Sequence, residues 1–285
     1  MPIPTQPKAS LRPKVVSRSK VSLTAQRQRV VSTSHHPRRI VLANKPKEVF
    51  RRRDAPNPQL VYNGGQLIEN VHVITVYWGN AWNDPLLNQH CDKLESFFSY
   101  IVTSSLIDQL GEYSINRYTI GHGTHDTAND SFIITDSDPG PTVADTDIQL
   151  MLQAEIQAGN LPPFDTNTLY FVFTPPNTVV EMGGGASCSS FCGYHDNINS
   201  QIFYAVLPFP DCNACVGDLG DPFDASTVVA SHELCEAITD PVPGSGWYDT
   251  NYGEIGDICE AEGNVKQVGN YVVQLEWSNQ QNNCV

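Results

Sequence analysis

The chain has 285 residues and a formal net charge of −14, but that charge is split in two. Fourteen of the 17 Lys and Arg lie in residues 1–53 beside one acid, Glu48, a net +13; residues 54–285 carry 3 basic and 30 acidic groups, a net −27. A body that acidic repels a phosphate backbone, which counts out nucleic acid as its partner, and no segment is long and apolar enough to span a membrane.

Residues 1–56 read as a basic, disordered arm. Its first 53 residues hold six prolines with many Ser, Gln and Arg and no sustained apolar period. The run around Ile40-Val41-Leu42-Ala43 is too short for a secretory signal core. The Arg-rich, acid-poor composition fits an organellar transit peptide superficially, with prolines that interrupt any amphipathic helix. Polyanions suit such an arm as partners, and so does the acidic body, across which it would lie as an inhibitory segment.

Residues 57–285 read as a single acidic domain. Residues 67–78 are β-branched at the centre (Val71, Val73, Ile74, Val76) and predict a buried strand. Asp84-Pro85 opens a helix with Leu87, Cys91, Leu94, Phe98 and Ile101 on one face. After a loop containing His122 and His125, a second amphipathic helix spans 145–158, stopped by Gly159. Thr168–Thr174 and 201–207 are apolar strand runs. Residues 228–238 contain no Gly or Pro and predict a helix ending before Asp240-Pro241. Val265–Val268 and 271–277, joined by Gly269-Asn270, predict a C-terminal β-hairpin. The fold class is therefore α/β or α+β: a mixed sheet with packed helices, one of them a zincin-like metal helix.

That helix carries Ser231-His232-Glu233-Leu234-Cys235-Glu236. His232 and Glu236 are four apart, one turn above the other on one face, so both can grip one ion, with Glu233 beside them as general base. This is the H-E-x-x-H logic of zinc hydrolases with the second His replaced by Glu. Glu254 and Asp257, 22 and 25 residues after His232, offer the third ligand. Asp240 lies about 80° around an ideal helix and ranks below them. One imidazole and two carboxylates around a divalent ion sum to zero charge, so bound water is acidified less than the ~7 of a three-His site. Zinc is the expected cofactor; calcium suits the oxygens, but the His makes it the poorer fit.

Eight cysteines in an acidic, Asn- and Gly-rich body suit an oxidising compartment and hence secretion. Cys188-x3-Cys192 and Cys212-x2-Cys215 resemble a four-thiolate zinc site, but a pair of disulfides clamping the intervening loop is the preferred reading. Cys259 and Cys284 form a further bridge, and Cys91 and Cys235 are packed free thiols. His122-Gly123-Thr124-His125 looks like a subtilisin-type histidine box, yet no Gly-Thr-Ser nucleophile motif follows. Cys192-Gly193-Tyr194-His195 has poor geometry for a Cys–His pair; His195 is instead expected to approach the metal cleft as a second catalytic group.

Over about residues 60–285 the chain resembles the phosphate-induced, or EXORDIUM-like, family of plants and its bacterial and fungal relatives. The resemblance rests on Tyr62-Asn63-Gly64-Gly65, Val73-Ile74-Thr75-Val76-Tyr77-Trp78-Gly79, Asp147-Ile148-Gln149, Leu169-Tyr170-Phe171-Val172-Phe173-Thr174, and Phe191-Cys192-Gly193-Tyr194-His195. It continues through Tyr204-Ala205, Cys212-x2-Cys215, the His232 motif with Pro241, Trp247, Glu254-Ile255-x-Asp257-x-Cys259 and Trp277-Ser278 before Cys284. It implies an extracellular or cell-wall protein linked in plants to growth responses, without a settled biochemical activity. The family's His-Glu-x-x-Glu falls on His232, Glu233 and Glu236, and its Cys-Gly-x-His on Cys192 and His195. The basic arm, the missing signal core and Cys235 in place of a small Ala depart from that pattern. Two functions are expected: a zinc metallopeptidase acting on a peptide or cell-wall substrate, or a non-catalytic signalling or wall-binding protein in which the ion ties a late loop to the helix.

Overall fold

A computed structural model describes residues 13–16, 57–260 and 264–285. Six strands, β1 (Lys14–Val16), β2 (His72–Trp78), β3 (Ser131–Ile134), β4 (Thr168–Thr174), β5 (Tyr194–Ile198) and β6 (Ile202–Pro208), form one sheet in the order β1-β3-β2-β4-β6-β5. All neighbours are parallel except β5, which runs antiparallel to β6 at one edge. Parallel strands are covered on both faces and so are apolar throughout; every residue of β4 and β6 is buried.

Side chains alternate between two cores. Val73, Tyr77, Leu169, Phe171, Phe203 and Leu207 face helices α1 (Pro85–Ile101) and, later in the chain, the helix Pro222–Thr239. Ile74, Val76, Tyr170, Val172, Tyr204 and Val206 face α2 (Asp145–Gln157) through Ile148, Met151 and Leu152. The helix Pro222–Thr239 is α3, and from Ala225 onward every residue is buried. A helix covered all round must sit between layers, and α3 does: the sheet lies on one side and a hairpin on the other. That hairpin, β7 (Val265–Val268) with β8 (Tyr271–Gln274), turns at Gly269 with φ 62°. Thr227 Oγ1 donates to the Val272 carbonyl (2.7 Å), and Ser231 Oγ accepts from Gln274 N (3.0 Å), which sews the hairpin to α3.

The mixed sheet, helices and C-terminal hairpin agree with the expected class, with four departures. The first long strand, expected from Leu67, begins at His72. α3 begins at Pro222 rather than near 228: Asp221 caps it by accepting from Phe223 N, and Pro222 takes the first turn. The hairpin's second strand stops at Gln274, and Trp277–Ser278 pairs instead with Asn283–Cys284. The arm expected to be disordered contributes β1, whose Lys14 Nζ donates to Asn129 Oδ1 (3.1 Å) and sits over the Phe132 ring. The rest of the arm lies outside the described residues. Among those residues no helix is long and apolar enough to cross a membrane.

A buried polar network ties α1 to the sheet. Glu95 accepts from Thr75 Oγ1 (2.8 Å), Tyr77 OH (2.6 Å) and His125 Nε2 (2.7 Å), while His125 Nδ1 lies 2.9 Å from the Val73 carbonyl. Two acceptors facing the two ring nitrogens call for a doubly protonated imidazole. Burial pulls the His125 pKa down, but the Glu95 hydrogen bond and charge outweigh it, and the net shift is upward. A raised histidine contributes stability that is fully present below its unfolded value of about 6.5 and is lost as pH rises through the folded value. The stability margin of the wild type over Glu95→Gln, read by urea denaturation across neutral and mildly alkaline pH, is therefore expected to shrink as pH rises above about 6.5. A margin constant over that range would mean that His125 is neutral throughout.

Candidate metal centre

α3 fixes His232, Glu233 and Glu236 on consecutive turns; β5 brings His195 across from the sheet edge; the loop after α3 returns with Glu254 and Asp257. His195 is 3% exposed and His232, Glu233, Glu236 and Glu254 are each 1% exposed, while Asp257 is half-buried at the edge of the cluster. Glu236 lies at its centre. His232 Nε2 stands 2.9 Å from Glu236 Oε1, and His195 Nδ1 stands 3.5 Å from Glu236 Oε2. His195 Nδ1 is also 3.4 Å from Glu233 Oε2, and its Nε2 is 3.4 Å from Glu254 Oε1. That last approach is an ion-pair contact without a hydrogen bond, because the His195 Nε2 bond goes to the Asp240 carbonyl at 3.2 Å. Asp257 N donates to Glu236 Oε1 (3.1 Å), and Asp257 Oδ2 accepts from Glu254 N (3.2 Å).

Two groups of three therefore have ligand atoms within 4.8 Å of one another: His195, Glu236 and Glu254, and His232, Glu236 and Asp257. Each is one imidazole and two carboxylates. The sequence expectation put His232, Glu236 and one later carboxylate in a single site with His195 approaching it; all six named residues do meet. They sort differently, though, with Glu254 going to His195 and Asp257 to His232. Asp240 is in neither triad: its carboxylate accepts from the backbone N–H groups of Gly244, Ser245 and Gly246 and braces the loop, while also bearing on Glu254 and His195.

The electrostatics are those of a site short of positive charge. Burial raises Glu233, pushes Glu254 well above the usual carboxylate range, and lifts Asp257 to about 7 with the Glu236 charge adding to it. Burial also acts on Glu236, but the His232 charge and hydrogen bonds from both imidazoles outweigh it and hold it at about 2. Both histidines are driven up against their burial, His195 chiefly by Glu254 and His232 chiefly by Glu236. Among the described residues Glu233 Oε1, Glu254 Oε1 and His232 Nδ1 are buried with no hydrogen-bond partner. Unpaired buried charge is costly unless a counter-ion meets it, and imidazole with carboxylate is a donor set for a divalent cation.

Sequence reasoning missed Glu276. It is wholly buried, both its carboxylate oxygens lack hydrogen-bond partners among the described residues, and its charge bears on His232. It lies just beyond the hairpin, where an isolated Glu in a β pattern reads as solvent-facing. Two glycines carry a clearer signal. A Cβ on Gly256 would meet His232 Nδ1 at 2.5 Å, and one on Gly193 would meet Val229 and, at 3.0 Å, Glu233 Oε1. Backbone has to approach the site side chains that closely for the cluster to close.

The cysteines settle as disulfides: Cys188–Cys212, Cys192–Cys215 and Cys259–Cys284, with Cys91 and Cys235 free and buried. Cys188, Cys212 and Cys215 do come within ligand range of one another, but all three are already bridged, so the four-thiolate site is not formed. The bridges close 23 to 25 residues of chain, worth about 3 kcal/mol each in the chain-entropy account. They also flank the centre: Cys192 lies just before His195, Cys215 just before α3, and Cys259 just after Asp257. Three disulfides are compatible with an extracellular protein. Compared with known proteins, the chain matches no family model, no curated protein and no solved structure.

Proposed function

We propose that the chain is a metal-dependent hydrolase of zincin-like build, a secreted peptidase that uses zinc. The observation carrying this reading is the position of Glu233, a buried carboxylate 3.4 Å from the His195 imidazole and one residue from His232, inside the ligand cluster but in neither ligand triad. A bound zinc ion would supply Lewis acidity, polarising a substrate carbonyl and acidifying water. Glu233, raised by burial, is suited to take a proton from that water and return it to a leaving amine. His195, pinned through Nε2 to the Asp240 carbonyl, faces Glu233 and Glu236 with Nδ1 and is suited to hold both carboxylates in position. A peptide has a natural docking line: β5 is the edge strand, paired on one side by β6, and an extended segment laid along it would pass His195.

One observation favours a second reading. Catalytic zinc sites keep an open position, whereas structural sites are closed, and here every ligand residue but the partly exposed Asp257 is 1–3% exposed. The second reading is a non-catalytic, EXORDIUM-like wall-binding or signalling protein whose ion holds the 240–257 loop to α3. Glu233→Gln separates the two. In the hydrolase it keeps the metal and lowers kcat on a peptide library by at least about 100-fold, the usual worth of a general base. Unchanged turnover in a metal-loaded variant removes Glu233 from the role, and no turnover by the metal-loaded wild type on peptides or wall glycans favours the second reading.

A further inference from the structure

We propose that the centre takes two divalent cations bridged by Glu236, an inference that rests on the reading of this cluster as a metal centre. The two triads do not compete for one point in space. They use opposite oxygens of one carboxylate: Oε1 is 2.9 Å from His232 Nε2, and Oε2 is 3.5 Å from His195 Nδ1. A carboxylate flanked in this way by two nitrogen donors, each with its own second carboxylate, has the donor set of a bridging ligand between paired ions, which in such sites lie about 3.5–4 Å apart. Asp257 completes one side and Glu254 the other.

Charge count points the same way. Glu233, Glu236, Glu254 and Asp257 bring four negative charges to the cluster. One divalent cation on two neutral imidazoles leaves an excess of two in a largely buried site; two cations leave none. Of the neighbouring acids, Asp240 is met by three backbone N–H groups, and Glu276 by the His232 charge and, after it, by that of Lys266. Independent of that count, Glu254 Oε1 is buried and faces the cluster without a hydrogen bond, as a ligand oxygen awaiting an ion would. His195 is also set for coordination. Its Nε2 is held by the Asp240 carbonyl, the kind of outer contact that orients a ligating imidazole, its Nδ1 faces Glu233 and Glu236, and Glu254 approaches from the Nε2 side at 3.4 Å.

The test is zinc stoichiometry by elemental mass spectrometry on the full chain after dialysis. The wild type should hold about two zinc ions, Glu254→Gln and Asp257→Asn one each, and the double variant none. One ion in the wild type overturns the proposal, as does loss of all zinc from either single variant while near-ultraviolet circular dichroism shows it folded. Should a variant not fold, cobalt(II) added to the stripped wild type still decides. Two bridged ions attenuate each other's paramagnetic resonance signal between the first and second equivalent; a signal that saturates at one equivalent, or grows uncoupled to two, overturns the bridge. Catalysis is read separately. One ion with peptide hydrolysis keeps the hydrolase and removes the second site, and two ions without hydrolysis do the reverse.

Discussion

Glu236→Gln is expected to strip the protein of bound metal altogether, where substitution of Glu254 or Asp257 removes half. Glu236 is the one residue common to both triads, and both imidazoles converge on its two oxygens. An amide keeps the shape but offers one weak acceptor, and its NH2 group would point at one of the nitrogens that now face a carboxylate. Outer-shell changes alone cost 10–100-fold in metal affinity, so loss of the shared ligand should exceed about 100-fold at each position. The folded chain is also expected to lose about 3–5 kcal/mol, the cost of leaving a buried partner charge uncompensated, because His195 and His232 both depend on this carboxylate. Isothermal titration with zinc and urea denaturation read the two effects apart. Full metal content in a folded Glu236→Gln would remove Glu236 from the centre and with it both triads.

The helical half of this site is legible in sequence because four-residue spacing on a helix is a geometric statement: His232 and Glu236 have to share a face once residues 228–238 are helical. Glu254 and Asp257 are legible as candidates, being carboxylates a short loop away, but which imidazole each serves depends on the path of the 240–256 loop. That path is set by Asp240 gathering three N–H groups and by Gly256 lying against His232. No local propensity encodes it. β5 was invisible for a different reason. Tyr194-His195-Asp196-Asn197-Ile198 has neither an apolar run nor a clean alternation, since an edge strand beside a polar centre is chosen for what it presents to the site. The central strands β2, β4 and β6 were plain, because burial on both faces leaves no room for anything but apolar residues. Glu276 was hidden by the converse rule, a charge in a strand-like pattern being read as outward.

Chelation is expected to lower the melting temperature sharply. In the stripped protein Glu233, Glu236, Glu254 and Asp257 remain gathered in a site that is almost wholly buried, with two histidines as the nearby counter-charge. A ligand that binds the folded chain alone stabilises by about 4.1 kcal/mol when free metal exceeds its dissociation constant 1,000-fold. For a domain of this size each kcal/mol is worth about 2–4 °C, so removal of one such ion should cost roughly 8–16 °C. The disulfides cannot absorb this loss. Cys192–Cys215 and Cys259–Cys284 fix the chain on either side of the centre, so the acids stay close and repel instead of swinging out to water. Scanning calorimetry with excess EDTA, then with zinc restored, measures the difference, and restoration shows that the fall is not aggregation. Calcium restoring the loss where zinc does not would assign the site to a harder ion and weaken the hydrolase reading. A melting temperature indifferent to EDTA, in a chain from which metal has verifiably been removed, would mean that protons alone neutralise the cluster, and the metal centre would fall.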